Sequence, residues 1–97
     1  MSLTELFRQD RRLVILRFLS EDEGYSLNTS LLHGALESVG HRVSRDVVEG
    51  DVAWLEEQGL LRIERVGPVT VVHLTQAGAD VAAGRSRHPG VRKPGPR

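Results

Sequence analysis

From Ser44 onward, Val48, Val52 and Leu55 recur at i, i+4 and i+7, and Val47 and Trp54 widen the apolar stripe. That spacing predicts an amphipathic helix. Ser44 suits its N-cap, because a serine hydroxyl accepts one of the free N–H groups of the first turn. Gly59 follows the last periodic residue, where a left-handed C′ position favours glycine. The period then changes from helical to two. Leu61-Arg62-Ile63-Glu64-Arg65 alternates, Gly67-Pro68 breaks the run, and Val69 to Leu74 is β-branched, which predicts a two-stranded hairpin.

Two helices are predicted upstream. Ser2-Leu3-Thr4-Glu5 has the capping-box form, with Glu5 able to reach back to the Ser2 N–H, and a helical pattern runs on to Ser20, with a possible restart at Asp10. Leu6, Leu13 and Leu16 fall on one of its faces; Leu3, Phe7, Val14 and Phe18 fall on another. A helix apolar on two faces needs cover on both, so Leu3, Phe7, Val14 and Phe18 are the expected homodimer interface. Glu21 to Gly24 reads as an acidic turn, and Tyr25-Ser26-Leu27 as a short extended piece. Asn28 caps a second helix with the stripe Leu31, Leu32, Ala35, Leu36 and Val39, ended by Gly40. After the hairpin, Thr75 to Gly84 predicts a short fourth helix. No internal repeat is present.

Three helices with a short turn between the second and third, then a hairpin, form the layout of a winged helix-turn-helix. The expected class is mainly α with a two-stranded wing and a short C-terminal helix. Asp10-Arg11-Arg12-Leu13-Val14-Ile15-Leu16-Arg17-Phe18-Leu19 resembles the D-x-x-R-L-x-I-L-x-x-L phrase of ArsR-type regulators, with Asp10 one position closer to the leucine. Trp54 to Leu61 resembles the L-x-x-x-G-L-[LV] end of their recognition helix, and Leu74-Thr75-Gln76-Ala77-Gly78 the L-T-x-x-G after the wing. The set is also similar to a family of short winged-helix proteins of Mu-like phages with a Pro/Arg-rich tail. ArsR metal sensors carry an E-L-C-V-C-D phrase where this chain has Leu27 to Leu32 without a thiolate, so the resemblance implies the fold and not metal sensing.

Length and charge bound the function. The 97 residues suit one small domain, expected over residues 1–84, with a basic tail at 85–97. The chain lacks cysteine, which excludes disulfides, thiolate metal sites and cysteine nucleophiles and fits a cytoplasmic location. The N-terminus has no continuous apolar h-region, and the run Leu13 to Leu19 is short and broken by Arg17, so neither a signal peptide nor a membrane span is expected. Formal neutrality hides a split. The tail holds Arg85, Arg87, Arg92, Lys93 and Arg97 and no acid, a formal +5, whereas residues 1–84 hold 8 basic and 13 acidic residues, a formal −5. With three prolines and two glycines the tail is expected to be disordered.

The expected partner is double-stranded DNA. The start of the third helix would enter the major groove, with His41, Arg42, Ser44, Arg45, Glu49 and Gly50 within reach. Arg45 suits guanine O6/N7, and Arg42 or Ser44 a phosphate. Asp46, Glu49 and Asp51 share that helix and would repel phosphates, unless Asp46 serves the helix dipole and the others a solvated face. Arg62 and Arg65 flank the wing tip beside Glu64, a phosphate contact or an ordinary polar strand face. The tail would thread a minor groove or bind an acidic surface, including the domain's own; five phosphate contacts would steepen the salt slope by about 4 to 5 units. His33 and Glu37 stand at i, i+4, too few ligands for a metal site. His73 and Trp54 are read as packed residues. No catalytic grouping or phosphate-cradling loop is present, so neither enzyme activity nor a cofactor is expected. The leading function is transcriptional control by sequence-specific DNA binding. The alternative is a protein-interaction module, such as a phage assembly or DNA-packaging accessory.

Overall fold

A computed structural model of the chain describes residues 1–95; Pro96 and Arg97, the last of the tail cations, lie outside the described residues. Four helices accompany a three-stranded antiparallel sheet: α1 (Leu3–Glu21), β1 (Ser26–Asn28), α2 (Thr29–Ser38), α3 (Arg45–Glu57), β2 (Leu61–Val66), β3 (Val69–Leu74) and α4 (Gln76–Ala82). The short extended piece before α2 is thus a strand. It pairs with β3, Leu27 opposite Val72, so the sheet has three strands in the order β1-β3-β2 rather than the expected two.

Local chemistry sets the element ends. Ser2, Asn28, Ser44 and Thr75 each cap a helix by accepting a first-turn N–H through the side chain. Only half of the expected capping box forms: Glu5 turns to Arg8, at 2.6 Å, and Gln9 instead of Ser2. α1 runs through Asp10 without a break. Gly67, at φ 59°, begins the two-residue turn between β2 and β3; with proline following, a type II′ turn fits that positive φ.

Leu13, Ile15, Leu16 and Leu19 of α1 meet Leu32 and Leu36 of α2, Val48, Val52 and Leu55 of α3, and Val72 of β3 in one buried core. Leu31 and Val39, expected in the buried stripe of α2, are 58% and 54% exposed. The ten-residue helix meets the core through the narrower row Thr29, Leu32 and Leu36.

The tail differs most from expectation. Its described residues, 85–95, form neither helix nor strand, yet the first part is packed. Val91 is buried, the Arg92 N–H donates to the Gln9 carbonyl, and Arg12 Nη1 donates to the Gly90 carbonyl at 3.1 Å. Gly90 approaches Trp54 so closely that a Cβ would lie 2.4 Å from the ring. Trp54 is held between that glycine, the Arg12 guanidinium 3.7 Å from its ring centroid, and the edge of His88. One apolar anchor and a few main-chain bonds suffice where composition suggested disorder.

Asp10 ties this strap to the domain, accepting from His41 Nε2 at 2.7 Å and Arg92 Nη1 at 2.9 Å. Partial burial pushes its carboxyl up, but the hydrogen bonds and charges of His41 and Arg92 outweigh that and hold it below the ordinary value of 3.8. As pH falls, the unfolded chain therefore takes up this proton first. The clamp contributes fully above that ordinary value and is lost as pH drops through the lower, folded-state value. An acid titration followed by Trp54 fluorescence should show the strap loosening below about pH 4, with a flatter acid limb in Asp10→Asn. An unchanged acid limb in the variant would contradict the assignment.

Candidate nucleic-acid interface

Arg45 begins α3 and is exposed, its Nη2 3.5 Å from Thr29 Oγ1 in the first turn of α2. Glu49 stands one turn further along the same edge of α3. Ser44 accepts the Val47 N–H, and its O–H stays free to donate. On the hairpin, Arg65 shares the strand face of Leu61 and Ile63, because side chains alternate with period two. It has passed the core edge, and its Nη1 donates to Thr70 Oγ1 at 3.1 Å. Asn28, Thr29, Ser30, Arg45, Glu49, Pro68, Val69 and Thr70 together line a groove of about 200 Å³. The starts of α2 and α3 and the hairpin tip therefore converge.

One of the three expected acidic obstacles changes meaning. Asp51 is 5% exposed and faces α1, where its carboxylate accepts from Arg11 Nε and lies 3.4 Å from Arg12 Nε. It adds nothing to the exposed surface of α3. Asp46 and Glu49 do remain exposed, as does Glu57, while Glu56 accepts the Ile63 N–H at 2.7 Å and anchors the edge of β2.

The other expected site residues are scattered. Arg42 is exposed just before α3, but His41 turns toward Asp10. Arg62 lies on the opposite sheet face from Arg65, beside the His73–Glu64 pair at 2.8 Å, so it does not join the groove. In the tail, Arg85 pairs with Asp80 at 3.0 Å and Arg92 with Asp10, so two cations neutralise the domain's own acids. Arg87 and Lys93 are exposed and form no ion pair among the described residues. The strap lies against α1, α4 and the end of α3, with no hydrogen bond to the hairpin among the described residues.

On α1, Leu3 and Phe7 are 64% and 51% exposed, but Val14 and Phe18 are half-buried against their own core. The apolar surface left open is therefore the first two turns, where Leu6 joins Leu3 and Phe7 instead of Leu13 and Leu16. His33 Nε2 donates to the Val43 carbonyl at 2.8 Å and braces the α2–α3 turn. No described helix is long and apolar enough to cross a membrane.

Of the groove residues, Arg45 and Glu49 were expected as site residues, and Asn28, Thr29, Ser30, Pro68, Val69 and Thr70 were not. Asn28-Thr29-Ser30 was legible as a cap, and helix caps present free N–H groups. Thr70 had no comparable signal, since only the cross-strand pairing places it opposite Arg65.

No protein-family model matches this chain. Over 66 residues, 68% of this chain and 64% of the relative, it is 54% identical to an uncharacterized protein of Haemophilus influenzae. Over 95 residues, 98% of each chain, it is 47% identical to the uncharacterized protein gp26 of Escherichia phage Mu. The chain belongs to the family of phage Mu gp26, a group of small Mu-like phage proteins.

Proposed function

We propose that this protein is a winged helix-turn-helix, ArsR-like in outline and without the metal-binding cysteines, that binds double-stranded DNA in phage transcriptional control. α3 is the recognition helix and β2–β3 the wing. The observation that carries the reading is the groove lined by Arg45, the start of α2 and the hairpin tip, where Arg65 is bonded to the wall residue Thr70. Arg45 has the reach and planar donors to pair with a guanine edge. Arg65 and the first-turn N–H groups of α2 suit phosphates. Inward-facing Asp51 lowers the repulsion that composition alone suggested. The protein acts as a homodimer joined through Leu3, Leu6 and Phe7, which presents two recognition helices to a two-fold operator.

Selection from a random duplex library tests this. The full chain should enrich a two-fold related motif, and Arg45→Ala should relax one position in each half-site by about 1–3 kcal/mol. Enrichment of no motif would reject the reading.

One observation favours a second reading, a protein-interaction module for phage assembly or DNA packaging. The exposed apolar start of α1 and the acids Asp46, Glu49 and Glu57 on α3 together suit a protein surface with basic and apolar patches.

A further inference from the structure

A second concavity lies away from the groove, where the C-terminal half of α1, the exit of β3, α4 and residues 94–95 meet. It is a half-open cleft of about 650 Å³. Arg17, the residue that interrupts the apolar run of α1, lines it. Among the described residues its Nε is buried with no hydrogen-bond partner and Arg17 forms no ion pair. Burying part of a guanidinium unpaired is unfavourable, so an anion bound in the cleft would offset the cost of the charge that Arg17 holds at its wall. Arg85 stands at the same cleft, held to Asp80 through Nε. No carboxylate among the described residues lines the cavity, and Leu74, Ala82 and Pro94 supply apolar surface beside the two arginines. Tyr25, half-exposed in a left-handed backbone conformation at φ 55°, adds a phenol at the wall.

We propose that this cleft binds a small organic anion, a carboxylate on a short apolar body, with Arg17 as its main counter-charge and Arg85 as the second. Leu74, Ala82 and Pro94 receive the apolar part, and the open side admits the ligand. The proposal stands independently of DNA binding.

The test is an NMR titration of the full chain with hexanoate, acetate and inorganic phosphate, following backbone amides and arginine Nε–H resonances. Hexanoate should give saturable shifts at Arg17 Nε–H, Tyr25, Gln76 and Ala83. It should bind more tightly than acetate, by up to about fourfold per methylene buried. Arg17→Gln should weaken hexanoate by about tenfold or more. Arg85→Gln alters an exposed side chain and keeps the fold; it should weaken hexanoate by about threefold, the share of a solvent-exposed charge. Arg87→Gln, outside the cleft, should change nothing. Linear, unsaturable shifts would overturn the proposal, as would saturable shifts of equal affinity in the wild type and Arg85→Gln. Phosphate binding as tightly as hexanoate would overturn the apolar-body assignment.

Discussion

Asp51→Asn is expected to destabilise the protein by about 3–5 kcal/mol, the cost of breaking a buried ion pair from one side. The carboxylate is 5% exposed and serves two guanidinium groups, those of Arg11 and Arg12. Arg11 is itself buried, and Arg12 has the Trp54 ring face and the Gly90 carbonyl as further partners. With the carboxylate neutralised, two cations remain together where water is excluded. A domain of this size holds only about 5–15 kcal/mol in total, so the melting temperature should fall by about 12 °C or more. Trp54 should report the same event, because Arg12 that loses Asp51 also shifts on the indole and loosens the strap. Urea unfolding followed by fluorescence checks both effects. A loss below about 1 kcal/mol, the scale of an exposed pair, would show that the cluster is open to solvent.

Gly78→Ala should cost about 3 kcal/mol, the upper end of what overpacking costs. The Thr75 hydroxyl accepts the Gly78 N–H and donates to the Gly59 carbonyl at 2.7 Å, while the Thr75 N–H donates to the Leu60 carbonyl. This draws α4 down onto the α3–β2 junction. A Cβ at position 78 would lie 1.9 Å from Leu60 O and 2.8 Å from Leu74 Cδ1. The first neighbour is backbone and cannot rotate away, so α4 itself must lift. Gly34→Ala is the control. Nothing lies within 4 Å of its Cβ position in α2, so there the change should stabilise by about 0.5–1 kcal/mol. Opposite signs in urea midpoints are the expected outcome; a neutral Gly78→Ala would mean that α4 sits less tightly on Leu60.

These two sites show what could and could not be read from the chain. The L-T-x-x-G phrase was visible at Leu74 to Gly78, and the physical reason for its glycine is the approach to Leu60. The bounds of α3 were legible because Ser44, the Val48-Val52-Leu55 spacing and Gly59 are local signals. Asp51 was not legible as a core residue, since its partners lie 40 and 39 positions earlier on α1. β1 gave only a weak signal because three residues acquire strand character solely through distant pairing with β3. The tail was misread for a similar reason: composition says nothing of Trp54, the surface that receives Gly90 and His88. In the groove, Arg45 was legible from its place at the start of α3. Arg62 and Arg65 were grouped at the wing tip, and the pairing separates them, because Arg65 alternates in phase with Leu61 and Ile63 and Arg62 does not.

The most direct test of the DNA-binding proposal is duplex binding by fluorescence anisotropy across a salt series, using the selected site and a scrambled one. The full chain should prefer the selected site. In Arg45→Gln/Arg65→Gln the salt slope should fall by about 2 units and the preference should largely disappear. Arg87→Gln/Lys93→Gln should keep the preference. If the groove variant instead binds both duplexes as the wild type does, with an unchanged slope, the protein does not read DNA through α3 and the wing.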